Sequence, residues 1–360
     1  MHRLQLSSNV QAMRSRPMLP KAWTFNAQAF ATWMHAARVG QGGCVAAIFL
    51  ALLATSPCAF GANGWPSRSV TIVVPFVAGG NTDMMARLAA DHLAAKFGQP
   101  FVIENRGGAG GITAAGQVAR AAPDGYTFLF GAGSQLTLAP LLQKVGYDPD
   151  KDLIPVTEFG TGPQILGVKA DMPVNTLREF IDYAKARPGK LSYAGVGTQT
   201  VTAIAAGVLK VRAGLDMTLV PYRGGVQAVA DLVAGHVDMY FGNASEMLPH
   251  FGGGDMRLLA VATLKRLPQA PDLPAVAETL PGFQFGSWNG FMVPRGTPKE
   301  IIDKLVEGSI EAVNTPWVRE KLIQSGIVPG GTTPDQVAER FKADKEAFAE
   351  AVEMIGLKPE

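Results

Sequence analysis

Acidic side chains are missing from the start of this 360-residue chain, whose first carboxylate is Asp83. Residues 1–61 instead carry Arg3, Arg14, Arg16, Lys21 and Arg38, and a one-sided charge of that kind suits a presequence better than a folded domain. Cysteine is nearly as scarce. Cys44 and Cys58 both fall in the same segment, so a chain trimmed behind it has no thiol, which excludes disulfides, cysteine nucleophiles and thiolate metal sites. Beyond residue 61 the histidines are His92, His236 and His250. None has metal-like His-x-x-x-His or His-Glu-x-x-His spacing, so no metal is expected. No Gly-x-Ser-x-Gly elbow occurs, and Ser134 and Ser192 lack an identifiable base, so no catalytic residue and no cofactor are expected.

Long apolar runs are missing too. The run Cys44–Ala54 is shorter than the roughly 20 residues that a membrane-spanning helix needs. Arg38 precedes it, and Ala59-Phe60-Gly61 follows with small residues suited to cleavage, which predicts a secretory signal over residues 1–61. A membrane anchor is the alternative. Met34 opens a stretch of more usual signal length, so a start there leaves residues 1–33 untranslated. Thr55-Ser56-Pro57 before Cys58 does not match a lipoprotein approach. Removing the five basic residues from the total of 32 leaves 27 against 30 acids. With no Lys/Arg run, a mildly acidic protein argues against nucleic acid as a partner.

The remaining chain has the size for two domains, and its 47% hydrophobic content permits filled cores. Short apolar runs alternate with amphipathic segments of helix length, which predicts an α/β fold of parallel strands and crossover helices. Candidate strands are 70–76, 102–104, 127–131, 164–168, 191–194, 218–221, 239–241, 258–262 and 290–294. The segments Thr176-Leu-Arg-Glu179, Thr297-Pro-Lys-Glu300 and Thr333-Pro-Asp-Gln336 match the capping box at helix starts. Helices are expected over 299–313, 317–325 and 334–355. The proline-rich segment Arg266–Val276 suits the surface or a hinge.

The first strand breaks at Gly79-Gly80 and restarts as a helix over 84–97, with Asn81 or Thr82 as N-cap and Asp83 in the first turn. The leading N–H groups of a helix lack partners and carry positive dipole, so such a junction can hold an anion. An ordinary α/β turn has the same features. Three further junctions share its small residues, hydroxyls and exposed amides: Gly131-Ala-Gly-Ser134, Gly195-Val-Gly-Thr-Gln-Thr200 and Tyr222-Arg-Gly-Gly225. All follow strands, where open α/β sheets collect ligands, and together they predict a cleft for a small polar molecule. Arg223 is the cation expected nearest an anionic ligand. The Gly107–Gly111 cluster loosely matches G-x-G-x-x-G, which leaves a nucleotide-binding enzyme as a rival reading.

Six segments in order resemble the Bug family, the periplasmic solute receptors of tripartite tricarboxylate transporters. They are Pro75–Asp83, Val102–Gly110, Pro123-Asp-Gly-Tyr-Thr127, Val220-Pro-Tyr-Arg-Gly224, the Arg266–Glu278 proline segment and Trp288–Pro298. The resemblance implies a type II periplasmic-binding-protein-like α/β fold, with two lobes hinged over a ligand cleft: residues 62–164 plus 289–360 as lobe one, and 165–288 as lobe two. It implies a periplasmic monomer that binds a small carboxylated solute and hands it to membrane permease subunits, or a ligand sensor for a signalling partner. Carried onto this chain, the ligand residues are Phe76, Ala78, Gly79, Gly80, Thr82, Asp83 and Ser134, then Gln164, Gly197, Thr198, Gln199, Tyr222 and Asn243. Where many relatives carry His-Leu early in the second-lobe helix, this chain has Thr200-Val-Thr-Ala-Ile204.

Overall fold

The computed structural model describes residues 64–357, so the expected signal segment and its candidate start at Met34 lie outside the described residues. Among the described residues no helix is long and apolar enough to cross a membrane. The elements of the first half are β1 (Val70–Val74), α1 (Asn81–Phe97), β2 (Phe101–Asn105), α2 (Ile112–Ala119), β3 (Thr127–Ala132), the short α3 (Ser134–Thr137) and α4 (Ala139–Leu142), and β4 (Leu153–Lys169). Next come α5 (Leu177–Lys185), β5 (Leu191–Val196), α6 (Val201–Ala213), β6 (Met217–Tyr222), α7 (Gly225–Val233), β7 (Met239–Asn243), α8 (Ala244–Met247) and β8 (Met256–Val261). The chain then runs through β9 (Gly286–Pro294), α9 (Lys299–Asn314), α10 (Pro316–Gln324), β10 (Val328–Pro329) and α11 (Pro334–Met354).

The α/β architecture has two lobes, and β4 belongs to both. Its first part pairs antiparallel with β9 from Leu153↔Pro294 to Pro163↔Gly286. Its second part, from Gln164 onward, pairs antiparallel with β7 and β8. In the first lobe β2, β1 and β3 run parallel, and in the second lobe β5 runs parallel to both β6 and β7. The sequence led us to expect parallel strands throughout. The antiparallel members are those that carry the chain between lobes, since a strand entering and a strand returning must run in opposite senses. Next to the crossing, Gln164 N–H donates to Phe285 O at 3.2 Å and Ala262 N–H to Gln164 O at 2.7 Å.

Each lobe buries its own apolar cluster. Val70, Ile72, Val74, Met85, Leu93, Phe128 and Phe291 pack together in the first, while Leu166, Val168, Phe180, Leu209 and Phe241 pack in the second. Helix α11 touches both: Val337 joins a first-lobe cluster, whereas Phe348, Ala351 and Val352 enter the second-lobe core. Burying a Phe or Val side chain is worth about 1.5–3 kcal/mol, so this helix ties the lobes together beside the crossing, where Asp344 also accepts from Trp288 Nε1 at 2.7 Å.

Two of the three capping boxes form in part or whole. Thr333 accepts from Gln336 N–H and the Gln336 side chain reaches back to the Thr333 N–H. Thr176 accepts from Glu179 N–H, but the Glu179 carboxylate takes the N–H of Asn175 instead. The third does not form, because the Thr297 hydroxyl donates to Pro294 O at 2.7 Å and α9 starts one residue after Pro298. The proline-rich stretch is irregular, yet Leu267, Ala270, Leu273 and Val276 are buried, and Arg266 and Glu278 hold its ends together at 2.8 Å.

Candidate functional site

Five strand-to-helix junctions meet at one cavity of about 40 Å³ between the lobes. The first lobe brings Phe76, Gly80, Asn81 and Thr82 at the start of α1, with Ala132 and Ser134 after β3. The second brings Val196, Thr200, Val201 and Thr202 at the start of α6, Gly224 and Gly225 at the start of α7, and Asn243 and Glu246 after β7. Gln164, at the crossing in β4, lies between them and is fully buried. A water-sized group needs about 10–15 Å³, so the cavity as it stands has room for only a few such groups.

Helix α1 begins at Asn81, three residues ahead of the sequence expectation. Neither Asn81 nor Thr82 caps it: the N-cap is Gly80, in extended conformation and without a side-chain bond. Asp83 does the local work. Its carboxylate accepts from Gly79 N–H at 2.9 Å, from Asn105 Nδ2 at 2.8 Å, and from Arg87 Nε and Nη2 at 2.9 and 3.0 Å. Burial opposes the charge, but the Arg87 guanidinium and the Gly79 and Asn105 amides hold the carboxyl below its usual range. Those bonds fix the turn at Gly79, whose φ of 85° is left-handed and favours glycine. The Thr82 hydroxyl donates to the buried Asn289 Oδ1 at 2.7 Å, locking the helix start onto β9.

In the second lobe Thr202 accepts from Val196 N–H at 3.1 Å, and its hydroxyl lies 2.9 Å from that of Thr200. Thr202 thereby braces the loop at the segment where His-Leu is absent. Both α6 and α7 lack a side-chain cap at their first residue, as α1 does. The starts of three helices therefore border one cavity with no side-chain oxygen from their own caps, an arrangement suited to a carboxylate.

Lys and Arg are absent from this lining, and the ionisable side chain in it is Glu246. Its Oε1 accepts from Asn81 N–H at 3.2 Å, and its Oε2 accepts from Asn243 Nδ2 at 3.1 Å. Burial raises its carboxyl pKa, against the bonds from Asn81 and Asn243. Ser245 adds a second bond between lobes, its hydroxyl donating to Asn81 Oδ1 at 2.7 Å. Gly225 makes room for the acid, because a Cβ there would stand 2.1 Å from Glu246 Oε2.

Of the residues singled out from sequence, Phe76, Gly80, Thr82, Ser134, Gln164 and Asn243 line the cavity. Ala78, Gly79 and Asp83 do not; the latter two shape the loop behind it. Gly197 and Tyr222 border a neighbouring groove with Arg223 and the turn at Gly108–Gly111. There the Tyr222 hydroxyl donates to Asp231 at 2.6 Å, and burial with that carboxylate pushes the phenol up to about 12. Arg223, expected near an anionic ligand, lines this groove and not the cavity. Thr198 and Gln199 line a separate cavity with Leu142, Ile204 and Ile355. Within the 107–111 turn Gly110 and Gly111 are closely packed: a Cβ on Gly197 would lie 3.3 Å from Gly110, and one on Gly111 would lie 2.8 Å from Gln135 Nε2. Asn81, Thr200, Gly224 and Gly225 lie in the junctions that the sequence marks for the cleft without being named there as ligand residues, whereas Thr202 and Glu246 lie outside those junctions.

The histidines lie elsewhere. His236 and His250 pair with Asp231 and Asp255, and His92 lies 3.6 Å from Glu311. Among the described residues no group of His, Cys, Asp or Glu is arranged to hold a metal.

A family model described as "Tripartite tricarboxylate transporter family receptor" matches residues 85–357. Protein BugT of Bordetella pertussis is 32% identical over 300 residues, covering 82% of this chain and 92% of that protein. The structure of Rpa4515 of R. palustris with adipate is 36% identical and superposes with a TM-score of 0.80, covering 82% of this chain and 100% of the other. The structure of MatC from Rhodopseudomonas palustris with bound malate is 35% identical, with a TM-score of 0.77, covering 80% and 100% of the two chains.

Proposed function

The chain belongs to the tripartite tricarboxylate transporter receptor family, and from that premise we propose that it binds a small carboxylated solute between its lobes in the periplasm and delivers it to membrane permease subunits as a monomer. It is a solute-binding receptor and not an enzyme. The observation that carries the proposal is the meeting of the α1, α6 and α7 N-termini at one cavity without a lysine or arginine in its wall. A carboxylate there takes hydrogen bonds from main-chain amides that have no helical partner, and the aligned peptide dipoles supply the positive potential that a basic side chain would otherwise give. The solved relatives with adipate and malate are consistent with an acidic guest.

The first lobe is taken as residues 62–164 plus 289–360 and the second as 165–288, with the end of α11 reaching across. Closure of the two lobes buries the solute, and the closed form is the one a permease distinguishes. The proposed ligand residues are Phe76, Gly80, Thr82, Ser134, Gln164 and Asn243, with Asn81, Thr200, Thr202 and Glu246 added; Gly79 and Asp83 act by holding the loop. Export is assigned to the segment before residue 62. Thermal-shift measurement with a panel of carboxylic acids and with NAD tests the function, because a ligand that binds only the folded state raises the melting temperature. Stabilisation by a carboxylic acid is expected; stabilisation by NAD and by no carboxylic acid would overturn the proposal.

A further inference from the structure

Glu246 is an acid in a cavity proposed to hold an acid. A wall built for a second solute carboxylate would offer donors, because two carboxylates in contact repel unless one takes up a proton. Here the hydrogen-bond directions run the other way. A carboxylate only accepts, so Asn243 must turn its Nδ2 toward Glu246, at 3.1 Å, and its Oδ1 toward Gln164. Gln164 answers with its Nε2, at 3.1 Å. Its own Oε1 is then left buried with no hydrogen-bond partner among the described residues, although Gln164 lines the cavity and is fully buried. An orphaned buried acceptor costs about 1–3 kcal/mol unless a donor reaches it. The cavity wall therefore holds a carboxylate, which already takes the Asn81 N–H at the α1 start, and a buried amide oxygen without a donor, while the α6 start at Val201 borders the same cavity.

We propose that the solute carries an ammonium group beside its carboxylate, as an amino acid or another amino-bearing carboxylic acid does, and that Glu246 and Gln164 are the residues that select it. This inference rests on the reading of the cavity as the solute site. The carboxylate lies against the amides at the starts of α1 and α6. The ammonium, a donor with three protons and no lone pair, reaches Glu246 and the free oxygen of Gln164. A solute lacking the amine leaves both acceptors without that donor, which is the situation in which a polar site discriminates most strongly.

The test is isothermal titration of the protein at neutral pH with matched pairs differing only in the amine: aspartate and succinate, glutamate and glutarate, alanine and propionate, phenylalanine and 3-phenylpropionate. The wild type is expected to bind the amino member of a recognised pair at least about tenfold more tightly, and Glu246→Gln to shrink that ratio by about tenfold or more. Gln164→Met is run beside it as a second variant, with a smaller loss of the ratio expected, so that the proposal stays testable if Glu246→Gln fails to fold. Tighter binding of the acid without an amine, or an unchanged ratio in the folded variants, overturns this inference while leaving the carboxylate-receptor reading intact. If no member of any pair binds, that broader reading falls and the inference with it.

Discussion

The Glu246 carboxylate accepts the backbone N–H of Asn81 at 3.2 Å across the lobes, so a second-lobe acid sits at the N-terminus of a first-lobe helix. The contact is a charge against a positive dipole end, an interaction worth about 0.3–1 kcal/mol when exposed and up to about 2 kcal/mol when partly buried. Ser245 to Asn81 reinforces it. The two lobes are thus joined at the same helix start that is proposed to receive the solute.

Ser245→Ala removes one hydrogen bond between the lobes while leaving Glu246 in place. A bond of this kind contributes about 1 kcal/mol, and we expect the open population to rise about fivefold. Small-angle scattering without added solute should show a larger radius of gyration; an unchanged radius rejects the latch.

Asp83→Ala leaves the Gly79 amide, Asn105 and Arg87 without their common acceptor. Arg87 is about half exposed and Gly79 is exposed, so water replaces part of what is lost, and a loss of about 1–2 kcal/mol is expected in chemical denaturation. Solute affinity should fall further than stability predicts, because the loop at 76–80 loses its shape. Equal stability of wild type and variant contradicts the bracing role.

Gly225→Ala places a Cβ where the Glu246 carboxylate now packs. The variant should lose stability and the bond to Asn81, and Glu246→Ala should cancel most of that loss in the double variant. A double-mutant cycle with a coupling energy near zero rules out the contact, since only residues that touch couple by about 0.5 kcal/mol or more.

The Glu246 and Asp83 carboxyls respond to pH in opposite senses. Glu246 has its folded pKa raised above 4.5, chiefly by burial, so its relative contribution is present below that value and is lost as pH rises through the raised one. Glu246→Gln should therefore gain on the wild type in melting temperature as pH climbs above the ordinary glutamate range. Asp83 has its folded pKa lowered below 3.8, so its contribution is present above that value and is lost as pH falls. Asp83→Asn should be less stable than wild type at neutral pH and approach it in acid. Parallel melting curves for either pair across pH refute the assignment.

Local signals in the sequence carried the helix starts well where side chain and backbone agree, as at Thr333 and Gln336. They failed at Thr297, where the hydroxyl found a closer carbonyl at Pro294. The four glycine-bearing junctions were legible as sheet-edge turns, and their meeting at one cavity follows from the topology that the strand alternation implies. What stayed hidden depends on long-range pairing. The split of β4 between two partners is set by where β9 returns, and one sequence run cannot report it. Glu246 had no motif around it, and its partner Asn81 lies 165 residues away. Arg223 had the right chemistry beside the right loop, but the loop turns it into the outer groove. The packing of Gly197 against Gly110, across 87 residues, was likewise not legible in either glycine turn.

The most direct measurement is a crystal structure of the protein with a carboxylic solute that it is shown to bind. The account predicts the solute carboxylate within hydrogen-bonding distance of main-chain amides at the starts of both α1 and α6, with no lysine or arginine touching it. A carboxylate held instead by Arg223 in the outer groove, or in the cavity lined by Thr198 and Gln199, would contradict it.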